Sequence, residues 1–381
     1  MTSCAAGLSA HPLATQATGE VLGEVLERIG EAPDLAVLFA STAHTGAVED
    51  IVATVRQILR PGVLVGCTSA SVVGGAQEIE DAPALSLFAA RFGGAGPAEP
   101  VRLQAFPGAD GLAIWGLPEV GPEPRTLVLL TDPFSFPADQ LLDGLAEGDG
   151  ALTVLGGLAA GARGPGGNRL VLDGAVHDDG AVGVLLPAGL ATTTVVSQGC
   201  RPIGDPMVVT RSEGTLLDEL ASEPALPRLQ RLIGELTDAE RTLASRGLHI
   251  GRVVDERKAT FGRGDFLVRN VLGAVRERDA VAVGDEIEIG TTVQFQVRDA
   301  VSADDDLRAL LGGSEAAGAL LFTCSGRGTH LFGRPHHDAA LVDATTPGSA
   351  TAGMACAGEI GPVGGRAFLH GFTASVLLFD P

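Results

Sequence analysis

The stretch DLAVLFASTAHTGAVEDIVATVRQILRPGVLVGCTSA, residues 34–70, decides the fold. It opens with the apolar run Leu35-Ala36-Val37-Leu38-Phe39. Val48, Ile51, Val52, Val55, Ile58 and Leu59 then recur at the spacing of one helix face. Pro61-Gly62 stops that helix, since proline cannot continue it and glycine accepts the turn. A second apolar run, Val63-Leu64-Val65, ends in the small residues Gly66-Cys67-Thr68-Ser69-Ala70. Strand, helix, strand in roughly 30 residues is the length of a parallel crossover. A further strand, Ala84-Leu85-Ser86-Leu87-Phe88, closes the unit.

The same order recurs twice. The second copy has Thr126 to Leu130, then Val154-Leu155-Gly156-Gly157, then Gly180 to Leu185. Its linking helix is expected after Pro137, with Leu141, Leu142 and Leu145 on one face. The third has Ala319 to Cys324, then Ala352-Gly353-Met354-Ala355-Cys356, then Thr373 to Phe379. Its helix has room for about two turns, near Asp338 to Asp343, between Pro335 and Pro347.

Between copies two and three the pattern changes. Residues 215–246 read as two or three short helices, the first around Leu216, Leu217 and Leu220. Residues 261–299 read as strands. Val293 to Arg298 alternates apolar and polar, which predicts one buried and one wet face. Asp304-Asp305-Asp306 suits the start of a helix, where the dipole favours negative charge. The expected class is α/β (mixed α+β), with two domains of mixed sheets built from the repeated unit. The boundary is placed near residue 230, giving domains 20–230 and 231–381.

Composition narrows the function. With 45% apolar residues among 381, the chain can bury a large core. A formal charge of −21 repels nucleic acid and anionic membrane surfaces, whose binding rests on lysine and arginine. No apolar run is long enough to span a bilayer. The five cysteines, Cys4, Cys67, Cys200, Cys324 and Cys356, are scattered without a CxxC pair. That fits a reducing cytoplasm and offers no zinc site. The first 18 residues lack the charged and apolar regions of a signal peptide.

Chemistry is expected at the strand ends, where glycine-rich loops leave amides free for a ligand. The loops are Gly66 to Gly75, Gly156 to Gly167 and Gly358 to Gly365. None matches a dinucleotide or P-loop signature, so no cofactor is expected. Turn glycines required by the fold would look the same. Cys324-Ser325-Gly326-Arg327-Gly328 follows a strand and presents a guanidinium suited to carboxylate or phosphate; it could equally be a surface turn. Glu359, Arg366 and His370 follow it closely. Glu359 could hold an ammonium group, completing an amino-acid clamp with Arg327, or cap a neighbouring amide. His336-His337-Asp338 lacks metal-ligand spacing. Cys67 and Cys356 read as buried apolar residues, and Cys324, beside an arginine, as the thiol with the best claim to reactivity.

Several short segments together resemble the FIST family. They are Val65 to Ala70, Gln198-Gly199-Cys200-Arg201-Pro202-Ile203-Gly204, Leu267-Val268-Arg269-Asn270, Phe295 to Asp299, Cys324 to Gly328, Gly358 to Pro362 and Phe368-Leu369-His370-Gly371-Phe372. They keep the family order over residues 33–380. The resemblance implies N-terminal and C-terminal FIST halves and a sensory role in binding small ligands such as amino acids. It brings no catalytic residues. No segment is left to be a kinase, cyclase or F-box, so the signal is expected to pass to a separate signalling protein.

The expected ligand contacts are Cys67, Thr68, Ser69, Asn270, Cys324, Ser325, Arg327, Glu359, Arg366 and His370, with no metal ligands and no catalytic residue. A scaffold that binds only a protein partner is the first alternative. A cysteine-dependent enzyme is the second, with Cys324 as nucleophile and His330, His337 or His370 as base.

Overall fold

The computed structural model describes residues 1–108, 111–146 and 151–381. The class is mixed α/β, and the chain folds into two compact units. The first takes in Met1–Val196, Leu307–Leu369 and Thr373–Pro381; the second is Ser197–Asp306 with His370–Phe372. The cut near residue 230 follows a change in local pattern, whereas compaction sets residues 197–306 apart and joins the front of the chain to its tail.

The first unit is the threefold repeat. In copy one, Leu35–Ser41 and Val63–Ser69 are parallel neighbours, and Leu85–Arg91 lies antiparallel on the far side of Leu35–Ser41. Copy two repeats this with Arg125–Thr131, Leu152–Leu158 and Ala181–Leu185. Copy three does so with Gly318–Cys324, Ala350–Cys356 and Thr373–Phe379. The crossover helices are Val48–Ile58, Ala138–Ala146 and, in copy three, Gly328–Phe332 followed by His337–Thr345.

Each copy then gives its next hairpin to another copy's sheet. Ser71–Gly74, after copy one, pairs with Ala350–Cys356 of copy three. Leu170–Leu172, after copy two, pairs with Val63–Ser69 of copy one. Glu359–Val363, after copy three, pairs with Leu152–Leu158 of copy two. The exchange is cyclic, so no copy completes its sheet alone.

This explains the continuous apolar runs. All seven residues of Leu35–Ser41 are buried, because both faces of the sheet are covered. Leu35, Val37 and Phe39 face a core shared with Val128 and Leu130 of copy two and Leu320 and Phe322 of copy three. Ala36, Leu38 and Ala40 face copy one's own helix, against Ile51, Val52 and Val55.

The repeated glycines have a packing cause. Gly66, Gly156 and Gly353 stand in register with Leu38, Leu129 and Leu321. A β-carbon at each would lie 2.1, 1.9 and 2.0 Å from that leucine's carbonyl oxygen. These glycines lie within strands and let two central strands approach; they do not shape a ligand loop. Gly358 to Gly365, expected as a loop, is largely strand too: Glu359–Val363 turns at Gly364-Gly365 into Arg366–His370.

The second unit closes on itself. Met207–Glu213, Leu216–Leu220, Ala280–Val283, Phe266–Val275, Leu248–Val253 and Thr292–Arg298 pair in that order, and the last returns to the first. Every one of these pairings is antiparallel. Closure leaves no edge in that ring open to another strand. Three local expectations change here. Leu216–Leu220 is a strand, turned back by Ala221 and Ser222 in the left-handed region. The polar face of Thr292–Arg298 is not wet, since Gln294 and Gln296 are both buried. The aspartates at 304–306 lie inside the helix Ala300–Leu311, whose start is served by Asp299 through the Val301 amide and the Ser302 hydroxyl.

Candidate functional site

The parallel pairs of the three copies end in equivalent register positions: Ser41 opposite Ser69, Thr131 opposite Leu158, Cys324 opposite Cys356. Hollows open beyond these carboxyl ends, as in other open α/β sheets.

The hollow beyond copies one and two has a volume of about 500 Å³. One wall is Thr42, Ala43 and Ala70; another is Asp81, Ala82 and Pro83; the third is Ala160, Gly161, Ala162 and Arg163. Thr68 clasps the two copies together. Its amide donates to the Arg169 carbonyl and its hydroxyl accepts from the Arg169 amide, both at 2.9 Å. Thr42 Oγ1 donates to the carbonyls of Ser69 and Gly161. A β-carbon on Gly161 would reach Thr68 at 2.7 Å, so glycine is needed for this approach. Small side chains leave backbone exposed, and the charged groups on the wall are one arginine and one aspartate.

A smaller hollow, about 20 Å³, lies beyond copy three. Cys324, Ser325 and Thr323 meet Ser71, Glu78 and Glu80 of the front hairpin there. Residues about 250 positions apart in sequence therefore share one cavity, which has room for a water molecule. Glu78 Oε1 accepts the Ala339 amide at 2.8 Å, and Glu80 Oε1 accepts the Thr329 amide and hydroxyl. The front hairpin thus supplies carboxylates to the first turns of both copy-three helices.

Arg327 does not present its guanidinium to open space. It is fully buried and forked onto Asp338, Nε to Oδ2 at 2.7 Å and Nη2 to Oδ1 at 2.9 Å. Asp338 also accepts from the Thr323 hydroxyl at 2.6 Å, and His337 Nδ1 lies 3.0 Å from its other oxygen. Phe332 stacks on the His337 ring and lies under the guanidinium. Burial opposes the charge of Asp338, but Arg327 and these hydrogen bonds outweigh it and hold the carboxyl below its usual range.

Glu359 is also fully buried. Its Oε2 accepts the Thr373 amide at 3.0 Å and hydroxyl at 2.8 Å, while Oε1 finds no hydrogen-bond partner of ordinary geometry. Burial pushes its pKa up to about 8, against the opposing influence of Thr373, Arg327 and Cys324. Glu78 rises to about 7, through burial first and the nearby Asp338 second. These two carboxyls hold protons in the folded chain that they release when it unfolds. Stability from them is full below the ordinary carboxyl range and falls as pH rises through about 7 to 8. The urea midpoint is expected to drop between pH 5 and 8, and Glu359→Gln, which keeps the Thr373 acceptor, should flatten the drop. An unchanged pH slope in that variant would contradict the assignment.

Of the remaining sequence-chosen residues, Cys67 is buried with its sulfur 3.1 Å from that of Met354, and burial pushes its thiol up. Ser69 is buried and donates to the carbonyls of Ser71 and Ala355. Arg366 is exposed, over the Phe368 ring. Asn270, exposed, and His370, buried, belong to the second unit. His330 is exposed, and neither it nor His337 lines the cavity beside Cys324. Sequence reasoning missed Asp81 and Arg163; the available signal was a charged residue inside the loop Gly156 to Gly167. Among the described residues no group of metal-ligating side chains forms, and no helix is long and apolar enough to cross a membrane.

Residues 34–223 match the FIST N domain and residues 225–362 the FIST C domain. The chain belongs to the FIST family. It is 43% identical to the uncharacterized protein Mb0898c of Mycobacterium bovis, over 98% of this chain and 97% of that one. It is 42% identical to the uncharacterized protein Rv0628c of Mycobacterium tuberculosis, over 98% of both.

Proposed function

We propose that the chain is a cytoplasmic sensory protein that binds an amino acid or a related small carboxylate in the hollow beyond copies one and two. The observation that carries this reading is the hollow itself. Its volume of about 500 Å³ lies in the range of small-molecule sites. It stands outside the carboxyl ends of parallel strands, and its lining offers open backbone, one cation and one anion. Arg163 takes the carboxylate and Asp81 the ammonium group. Thr68 positions the walls from behind, and Gly161 lets the two copies approach closely enough to form them. The five free cysteines suit a reducing compartment, and the bound state is read by a separate signalling protein.

A thermal-shift panel of free amino acids and small carboxylates tests this. Ligand at about 100 times Kd should stabilise the chain by roughly 2.7 kcal/mol. Arg163→Gln and Asp81→Asn should each weaken binding about tenfold or more. A panel without stabilisation, or equal stabilisation in both variants, would sink the reading.

A further inference from the structure

The hollow beyond copies one and two is lined by few charges and much hydrocarbon. Among the described residues Asp81 and Arg163 are its only charged groups, and neither has a hydrogen-bond or ion-pair partner. Thr42 adds a hydroxyl whose proton is committed to the carbonyls of Ser69 and Gly161, so toward the hollow it can only accept. An α-ammonium group uses Asp81 and Thr42, an α-carboxylate uses Arg163, and no charged side chain is left over. The rest of each wall is carbon: Ala43 and Ala70 beside Thr42, Ala82 and Pro83 beside Asp81, Ala160 and Ala162 beside Arg163. Size points the same way. A water takes about 30 Å³ of the liquid, so a hollow of about 500 Å³ has room for on the order of 15 non-hydrogen atoms. Glycine or alanine would leave most of that space to water. Leucine, methionine or phenylalanine would fill the larger part of it and take the alanine methyl groups out of water.

We propose that the ligand is an α-amino acid with a large apolar side chain, aliphatic or aromatic, laid across the alanine wall between Arg163 and Asp81. This specificity rests on the hollow being an amino-acid site. Discrimination against small amino acids is hydrophobic, since each further methylene taken out of water tightens binding about fourfold. Discrimination against acidic and basic side chains is electrostatic. Arg163 and Asp81 are satisfied by the two groups on the ligand's α-carbon, so a third charge would be desolvated against methyl groups with no partner. The alanine and proline side chains carry no donor or acceptor to tell one large hydrocarbon from another. Leucine, methionine and phenylalanine should therefore bind within about tenfold of one another, as expected where a methylene more or less is all that differs. The hollow reads apolar amino acids as a class.

The test is isothermal titration calorimetry of the full-length chain at pH 7 with glycine, alanine, leucine, methionine, phenylalanine, aspartate and lysine. Leucine, methionine and phenylalanine are expected to bind at least about tenfold more tightly than alanine, and aspartate and lysine no more tightly than alanine. Ala43→Leu puts a larger side chain on an exposed part of the wall and should cut the preference for phenylalanine over alanine by about tenfold or more. Glycine and alanine binding as tightly as leucine and phenylalanine, aspartate or lysine binding most tightly, or an unchanged preference in folded Ala43→Leu would each overturn the apolar specificity. If Arg163→Gln still weakened every amino acid in those cases, the carboxylate reading would stand without it. Binding of none of the seven would remove both.

Discussion

Replacing Asp338 with alanine is expected to destabilise the first unit by about 3–5 kcal/mol, measured from urea unfolding midpoints at constant slope. The carboxylate is fully buried and carries both forks of Arg327, the Thr323 hydroxyl and the His337 ring. Removing it takes the fork from a guanidinium that has no exposed surface, and breaking a buried ion pair by deleting one partner costs far more than the intact pair contributes. The double replacement Arg327→Met with Asp338→Leu should recover most of the loss, because apolar side chains of similar size leave no charge behind. A loss below about 1 kcal/mol in the single variant would mean that the pair is solvated.

Gly353→Ala should have an effect of similar size, about 3 kcal/mol or more. The new β-carbon would sit 2.0 Å from the Leu321 carbonyl oxygen, and neither atom belongs to a flexible side chain. The strands Gly318–Cys324 and Ala350–Cys356 would have to part at the centre of their sheet, with the shared core on one face and the crossover helix on the other. The same replacement at Gly66 or Gly156 meets Leu38 or Leu129 in the same way. Gly75, at a hairpin tip with no atoms within 4 Å of a β-carbon, provides the control; alanine there meets only the strain of its φ of 54°. Equal losses at Gly75 and Gly353 would remove the packing explanation for the three glycines.

Local periodicity carried much of the fold. The faces Val48 to Leu59 and Leu141-Leu142 and the triplet of strands in each copy are all visible along the chain, because each is a contact of a residue with near neighbours. The cyclic exchange of hairpins is not. Val72 and Val73 pair with Met354 and Gly353, nearly 300 residues on, and no spacing within either segment specifies that partner. The ring closure between Leu248–Val253 and Thr292–Arg298 is hidden for the same reason, and it is closure that buries Gln296. Hollows do open beyond the strand ends, yet Arg327 folds back onto a carboxylate eleven residues ahead, where a sequence shows only an arginine between glycines. Glu359 was open to reading as a cap or as a ligand; the structure has it accept the Thr373 amide and hydroxyl. Arg163 and Asp81 carry no motif at all, and only their placement around one hollow marks them.

The central claim is that this hollow is where a small carboxylate is recognised. The most direct measurement is a crystal structure of the chain grown with the strongest stabiliser from the panel. Density for that compound is expected between Thr42, Asp81 and Arg163, with its carboxylate on the guanidinium. Density against the wall formed by Arg28 and Asp343, or anywhere on the second unit, with the Arg163 hollow empty, would contradict it.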